Sequence, residues 1–342
     1  LYKGEIHKLD TPLSLLKFPY FTLLDKFRAG ATLLYLRTTN DWKFLEKEYA
    51  KGFLLRSMGK RVWRVLWEPL FSAKFGKFAN KVSAAWFWAR IKKRSASLGY
   101  PEGGFQKLAE SIQRAAEKNG ATFMFDTSVE KIQRTQESAV VQTQKYNGSF
   151  DSVIFTLPTH SFLQITRGLP EKYKKSMQGL EGLGAVNLVV SLKKKFLEDG
   201  TYWLNINDKG YPFLAVVEHT NFMSKKKYSG DRLLYIGNYL EKTHPYFGKS
   251  ARALLGEFVP HLKKINPKFS KSWVRKAWKF GVPFAQPVTP LNYSKIVPKH
   301  KTPLRGVYLA NMQQVYPWDR GTNYAVEMGD RIANEIHKKT LG

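Results

Sequence analysis

Apolar residues recur at three- and four-residue intervals through the first hundred positions of the chain. From Leu15 to Leu36 they follow one face of a helix. Two later segments, 61–77 and 80–94, are dense in tryptophan and phenylalanine. The spacing therefore predicts a largely helical region over residues 10–97, in which most of the aromatic side chains pack helices against one another.

The pattern changes after Gly99, where short apolar runs replace the helical spacing. One amphipathic helix is predicted first, over Phe105–Asn119, and Gly120 is suited to end it. Short strands follow, with a hairpin turn predicted at Asn147-Gly148. The predicted strands of this stretch are 121–125, 128–134, 139–146 and 152–157.

The following block, 161–290, again alternates strand-like runs with a helix. Its predicted helix covers 250–265, and Pro260 is expected to break it because proline removes a helical hydrogen bond. Its predicted strands are 185–192, 201–206, 211–218, 232–239 and 272–280. Helices and strands that alternate in this way indicate a mixed α/β (α+β) chain.

The last forty residues combine a strand, a polar loop and a helix. GVYLA at 306–310 is predicted to be a buried strand, 311–323 a loop, and 324–337 an amphipathic helix. The first amides of such a helix point outward without intrahelical partners, and the helix dipole favours negative charge there. This arrangement can bind an anion or the electron-rich edge of a cofactor.

The charge of the chain favours anionic partners. Its 342 residues include 56 Lys and Arg against 27 Asp and Glu, a net charge of +29. The basic residues are scattered, and no nucleic-acid-binding motif is present, so a solvated basic surface or an anionic membrane contact is favoured over specific nucleic-acid binding. The absence of cysteine excludes disulfides and thiolate metal centres. We find no metal-ligand spacing and predict no metal.

Several segments together indicate a family. GVYLANMQQVYPWDRGTNYAVEMGDRIANEI resembles the C-terminal flavin-contacting segment of the amine oxidase and protoporphyrinogen oxidase superfamily of FAD enzymes. YPEGGFQKLAESIQRAAEKNGATFMFDTSVEKIQ resembles its internal PxGG–helix–strand segment, and FDSVIFTLPTH the strand after it. WEPLFSAKFG and VVEHTNF resemble signatures of the bacterial protoporphyrinogen-oxidase-like branch. These segments extend from about Asp41 to the end of the chain.

The resemblance implies an amine-oxidase-type flavoprotein fold with an FAD/NAD(P)-binding, Rossmann-like domain and an interleaved substrate domain. The implied division is 1–97 for helices of the substrate domain, 98–160 for FAD binding, 161–290 for the substrate-domain sheet and helix, and 291–342 for the C-terminal FAD-binding segment. The GxGxxG βαβ unit that grips the pyrophosphate is absent, and the chain begins at Leu1 rather than Met. We therefore expect an N-terminally incomplete sequence that is inactive alone.

The resemblance also implies which residues bind the cofactor. Those expected to contact FAD are Gly103, Gly104, Val129, Pro158, Asn311, Met312, Asp319, Arg320, Gly321, Thr322 and Asn323. Asn311 and Met312 fall where the superfamily often has Gly-Asp, so we expect Asp319 or Arg320 to replace that acid. The amides of Gly321, Thr322 and Asn323 are expected to face the flavin pyrimidine edge.

Three side chains are candidates for contact with substrate. Glu218 and His219 close a predicted strand and could exchange a proton near neutral pH. Tyr239 lies in another predicted strand. Leu188 stands where true amine oxidases place a lysine, which leaves desaturation, protoporphyrinogen-type oxidation and isomerisation open. We assign no catalytic residue.

Three functions remain open at this point. The first is an FAD-dependent oxidoreductase that moves hydride from a hydrophobic or ringed substrate to flavin N5. The second is a flavin-dependent mutase acting on a sugar nucleotide, and the third is a non-catalytic basic protein that binds membranes or polyanions. A cytoplasmic protein, peripheral to the inner face of the membrane, is expected.

Overall fold

The computed structural model describes residues 1–95 and 97–340. The chain divides into two compact units. Unit 1 comprises Leu1–Ala89 and Leu180–Lys295, and unit 2 comprises Arg90–Gly179 and Ile296–Gly342. Each unit is therefore assembled from two stretches that are far apart in the sequence.

Helices make up most of the first ninety residues and recur between the strands that follow. In chain order they are α1 (Pro12–Lys17), α2 (Leu23–Thr38), α3 (Trp42–Leu45), α4 (Ala50–Met58), α5 (Lys60–Val62), α6 (Glu68–Phe75), α7 (Ala84–Lys92), α8 (Gly104–Lys118), α9 (Thr159–Ile165), α10 (Glu171–Gln178), α11 (Ala251–Ile265) and α12 (Thr322–Thr340). A π-helical turn, Trp63–Trp67, joins α5 to α6. The helical character predicted for residues 10–97 is confirmed, whereas the sequence pattern does not predict α9 and α10.

Within the described residues, the strands form three sheets. They are β1 (Val129–Arg134), β2 (Ala139–Thr143), β3 (Asn147–Phe150), β4 (Val153–Phe155), β5 (Gly182–Leu192), β6 (Trp203–Asn205), β7 (Ala215–Glu218), β8 (Arg232–Leu240), β9 (Val274–Pro287) and β10 (Val307–Leu309). Unit 1 contains one antiparallel sheet of order β6-β7-β8-β5-β9. Unit 2 contains the antiparallel β1-β2-β3 and the parallel pair β4 and β10.

The apolar run from Leu15 to Leu36 is divided between two helices rather than one. Phe18 is extended, with ψ of 121°, because the residue before a proline avoids the helical region. Helix α2 then restarts with a capping box, in which Thr22 and Asp25 exchange hydrogen bonds. The prediction of one continuous helix face from Leu15 to Leu36 is therefore wrong, because the helix is interrupted at Pro19.

Unit 1 has a continuous core between its sheet and α11. Leu254, Phe258 and Leu262 recur every four residues on the face of α11 that is buried against the sheet. Pro260 lies on the exposed side, and the helix continues through it. The predicted break is wrong, because the buried apolar face outweighs the loss of one hydrogen bond.

Strand β9 forms an edge of this sheet. Its middle exposes Trp278, Phe280 and Val282 to solvent. The same strand carries Lys276 and ends at Pro287.

Two strand predictions in unit 2 are wrong. Asn147 and Gly148 lie inside β3, opposite Gln142 and Val141. The turn between β2 and β3 therefore lies before Asn147 and not at Asn147-Gly148. The hydroxyl of Thr143 accepts bonds from the amides of residues 145 and 146 and sets that turn. Residues 121–125 belong to none of the three sheets of the described chain, because a strand also needs a neighbour for its backbone groups, which its own sequence does not supply.

The tail follows the predicted order of strand, loop and helix. All three residues of β10 are buried. A short 3-10 turn at Met312–Gln314 lies within the predicted loop, and α12 begins at Thr322, two residues before the predicted start. Within the part of the chain that the structure describes, no helix is long and apolar enough to cross a bilayer.

Candidate functional site

The parallel pair of strands in unit 2 sets the position of the candidate site. Val153 is opposite Val307, and Phe155 is opposite Leu309. The amide of Ala310 continues the ladder by donating to the carbonyl of Phe155 at 2.9 Å. Both strands therefore end at the same edge, which is where ligands bind in parallel α/β sheets.

A cavity of about 600 Å³ lies at this edge. That volume is within the range of small-molecule and cofactor pockets. Its wall is formed by Thr156, Ala310, Asn311, Met312, Arg320, Gly321, Thr322, Ala325, Met328, Gly329 and Ile332. The wall thus combines the exits of both strands with the first three turns of α12.

The start of α12 gives the cavity its electrostatic character. The amides of Tyr324 and Ala325 both donate to the carbonyl of Gly321 at 3.1 Å, which closes the first turn. The amides before them have no acceptor within the helix, and the dipole makes this end positive. A Cβ on Gly321 would lie 2.7 Å from Oδ1 of Asn323, so a larger residue there would displace the Asn323 side chain.

The inner face of α12 is apolar and has small residues at two positions. Ala325, Met328, Gly329 and Ile332 follow helical spacing along the wall. A Cβ added at Gly329 would meet no atom of the described residues within 4 Å, so the cavity is open at that point. A flat group can therefore lie against this face.

Asn311 joins the two strand exits. Its Nδ2 donates to the carbonyl of Leu157 at 3.1 Å and to Oγ1 of Thr159 at 3.2 Å. Its Oδ1 accepts from the amide of Gln313 at 3.0 Å, and the Gln313 side chain accepts from the amide of Thr159. These bonds fix the shape of the wall, so the side chain of Asn311 acts by positioning the strand exits.

The structure brings together five of the predicted cofactor residues. Asn311, Met312, Arg320, Gly321 and Thr322 all line the cavity. The remaining predicted residues lie in unit 2 outside its wall: Gly103, Gly104, Val129, Pro158, Asp319 and Asn323. Their contact with a cofactor stays a prediction.

Some of those outlying positions have a local explanation. Gly103 and Gly104 begin α8 with φ of +78° and +83°, a region that favours glycine. Asp319 forms an ion pair with Arg90 at 2.6 Å, so its carboxylate is engaged beside the cavity loop.

Two of the predicted substrate residues of unit 1, Glu218 and His219, each have hydrogen-bond partners of their own. Glu218 is fully buried and accepts from the amides of Phe196 and Leu197. Burial raises the pKa of Glu218, and the amide bonds partly oppose that increase. His219 lies 2.6 Å from the hydroxyl of Tyr228, and burial lowers the pKa of its imidazole. Glu218 therefore ties residues 196–197 to the end of β7, and His219 contacts Tyr228, while contact of either residue with substrate stays a prediction.

The sequence reasoning missed Lys74, which is only 6% exposed. Its Nζ lies 4.6 Å from the ring centre of Tyr239 and 5.5 Å from that of Trp86. A buried cation over aromatic faces gains cation–π energy and marks a candidate site. A signal was available, because Lys74 interrupts the apolar stripe formed by Phe71, Phe75 and Phe78.

The cavity wall fits the flavin end of FAD. The positive end of α12 suits the pyrimidine edge, and the apolar face with Gly329 suits the ring. Small side chains at Ala310 and Ala325 leave room for a planar group. The phosphate-binding GxGxxG sequence does not occur among the 342 residues, so the fit concerns the flavin end alone.

Comparison with solved structures shows the fold. The chain superposes on a protein from Exiguobacterium sp. 255-15, provisionally named protoporphyrinogen oxidase, with a TM-score of 0.71 at 14% identity, covering 98% of this chain and 77% of that one. Putrescine oxidase bound to putrescine superposes with a TM-score of 0.63 at 16% sequence identity, covering 97% of this chain and 78% of that one. Cyclohexylamine oxidase from Brevibacterium oxydans IH-35A superposes with a TM-score of 0.64 at 12% sequence identity, covering 95% of this chain and 77% of that one.

The sequence itself settles the family. No curated protein matches the chain. The profile of the flavin containing amine oxidoreductases, by contrast, matches residues 1–337, which is nearly the whole sequence. With the mixed α/β architecture and the oxidases among the neighbours, this match confirms the amine-oxidase-type fold, and the family implies FAD as the cofactor. The chain belongs to the flavin containing amine oxidoreductase family.

Proposed function

We propose that this protein is an FAD-dependent oxidoreductase that oxidises a hydrophobic or ringed small molecule. The observation that carries the proposal is the cavity at the start of α12, beside the ends of β4 and β10. FAD, when bound, supplies an acceptor at N5 for the hydride that leaves a substrate carbon, while the substrate releases a proton to a base or to water. Family membership and the flavoprotein neighbours support this chemistry.

The residues of unit 2 would bind and orient the flavin. The amides at Thr322 and Asn323 would stabilise negative charge that develops at the pyrimidine edge. Ala325, Met328 and Gly329 would pack against the ring and exclude water. Unit 2 would thus be the FAD-binding domain, and unit 1 the substrate domain.

On the substrate side we propose Tyr239 as a contact residue. The buried ammonium of Lys74 lies over the ring of Tyr239. Its positive charge would polarise the ring face that contacts substrate. The carboxylate of Glu218 is engaged by two backbone amides, so we assign Glu218 and His219 the role of holding their loop in place.

Filling the open point of the cavity tests the flavin site. Leucine at Gly329 should occupy the space where the ring lies and weaken flavin binding at least tenfold, about 1.4 kcal/mol. The control is Gly256→Leu, because Gly256 is also an exposed glycine within a helix and a Cβ there meets no atom of the described residues within 4 Å. Binding is measured by flavin absorbance and quenching of tryptophan fluorescence during titration with FAD. Equal binding by Gly329→Leu and Gly256→Leu would contradict the site.

Turnover separates the remaining functions. An oxidoreductase consumes one electron acceptor for each product formed, whereas a mutase-like enzyme forms product without net consumption. A non-catalytic protein takes up no flavin even when FAD is added in excess. We propose a cytoplasmic location on the basis of the basic, cysteine-free composition, and fractionation of cells tests it.

A further inference from the structure

Helix α2 is apolar on two opposite sides. One side faces the interior of unit 1, where Ala29, Thr32 and Leu36 are buried. The opposite side carries Leu23 and Phe27, which are 83% and 75% exposed. A surface helix normally presents polar residues to solvent, so the outer side needs an explanation.

The outer side of α2 forms a continuous stripe. Leu23, Phe27, Gly30 and Leu34 follow one another at helical spacing, and Leu24, Ala31 and Tyr35 lie beside them. All seven residues are exposed, and none is charged. Helix α1 contacts α2 and adds exposed Leu13 and Leu16. We call these nine residues the outer stripe.

The charged residues of α2 lie away from the outer stripe or along its border. The carboxylate of Asp25 accepts a hydrogen bond from the amide of Thr22 at the start of the helix and forms an ion pair with Arg61. Arg28 donates to backbone carbonyls at Arg56 and Ser57 within unit 1. Lys26 and Arg37 lie on one flank of the outer stripe, since eleven residues return to nearly the same side of a helix.

We propose that the outer stripe is a docking surface for the interface of an anionic lipid bilayer. An apolar helix face bordered by lysine and arginine lies in the plane of a membrane, with its apolar side among the acyl chains. The net charge of +29 adds attraction to anionic headgroups. A second copy of the chain would bring a second +29 to the same contact, so repulsion disfavours self-association there.

The first test measures binding of the 342-residue chain to vesicles by flotation. We expect binding to vesicles of phosphatidylcholine and phosphatidylglycerol in a roughly 3:1 ratio, and much weaker binding to phosphatidylcholine alone. The variant Leu23→Ser/Phe27→Ser/Leu34→Ser should reduce the partition coefficient more than tenfold. Because these side chains are exposed, the variant should fold, which circular dichroism verifies.

The matched control changes three exposed apolar residues elsewhere in unit 1. Trp278→Ser/Phe280→Ser/Val282→Ser on β9 removes comparable exposed surface and should bind vesicles as the unchanged chain does. Lys26→Gln/Arg37→Gln should lower binding to the anionic vesicles roughly tenfold, and added salt should lower it further.

Two results would overturn the proposal. One is equal vesicle binding by the outer-stripe variant and the β9 control. The other is a dimer of the unchanged chain, seen by light scattering, that the outer-stripe variant dissociates, because a second copy would then be the occupant. The test does not depend on flavin, so the proposed oxidoreductase function can fail without affecting it.

Discussion

The two units bury their apolar residues to very different extents. In unit 1, the central strands β5 and β8 pack against α11 with Leu188, Ile236 and Phe258 among the buried residues. In unit 2, helix α8 has a strongly amphipathic sequence, and the structure describes all of its residues. None of them is buried. Apolar side chains alone do not make a core, because a core also requires a second surface to cover them.

The exposed apolar surface of unit 2 extends beyond α8. Phe123, Met124 and Phe125 are exposed outside any strand, and Ile154 on β4 is also exposed. Parallel strands are usually covered on both faces, yet β4 and β10 form a sheet of two strands in the described chain. We infer that unit 1 is stabilised mainly by its own core, whereas the stability of unit 2 depends more on what binds to it.

The largest expected effect comes from truncating the core of unit 1. Phe258→Ala on α11 should cost about 3–5 kcal/mol in the free energy of unfolding, because it leaves a cavity between the helix and the sheet. Ile112→Ala on α8 should change it by no more than about 0.5 kcal/mol, because that side chain is exposed. Chemical denaturation measures both. Similar costs at the two positions would remove the contrast between the units.

A second, smaller effect should appear when FAD is added. A ligand at one hundred times its dissociation constant stabilises the folded state by about 2.7 kcal/mol. Because the candidate site lies in unit 2, amides of β10 and α12 should gain protection from hydrogen exchange, while amides of β5 and β8 gain less. Uniform protection across both units would show that they unfold together.

The smallest effect concerns the buried group at the end of β7. Burial lowers the pKa of His219, so folded protein binds fewer protons there than unfolded protein. Its contribution to stability is complete above its ordinary pKa of about 6.5 and is lost as the pH falls through the folded value. Unfolding curves at about pH 7 and pH 5 should show a larger loss for the unchanged chain than for His219→Phe. Tyr228→Phe, which keeps the imidazole, should retain that larger loss.

Local sequence determined the elements whose neighbours are close or whose pattern is long. The spacing of Leu254, Phe258 and Leu262 located α11, and GVYLA located β10. The resemblance of the tail to the amine oxidase superfamily located five residues of the cavity wall, and the local pattern gave the order of strand, loop and helix there. These features depend on interactions that the pattern itself encodes, namely burial of one face and helix capping.

Other features depend on partners that are distant in the sequence. Residues 121–125 have a strand-like pattern, but the ladder they would join is not specified by their own side chains. The sequence predicts a turn at Gly148, whereas that residue lies in a strand, where a Cβ would be 2.4 Å from the ring of Tyr146. The interruption of the apolar stripe by Lys74 is visible in the sequence, but its aromatic neighbour is not, since Tyr239 lies far away in the chain.

The edge strand β9 has a consequence for how this protein behaves in concentrated solution. An edge with exposed Trp278 and Phe280 is a template on which another chain could add a strand. Lys276 places a charge on the same face as those rings, and Pro283 removes one backbone donor from the strand. These two residues disfavour the addition of a strand from a second chain at this edge.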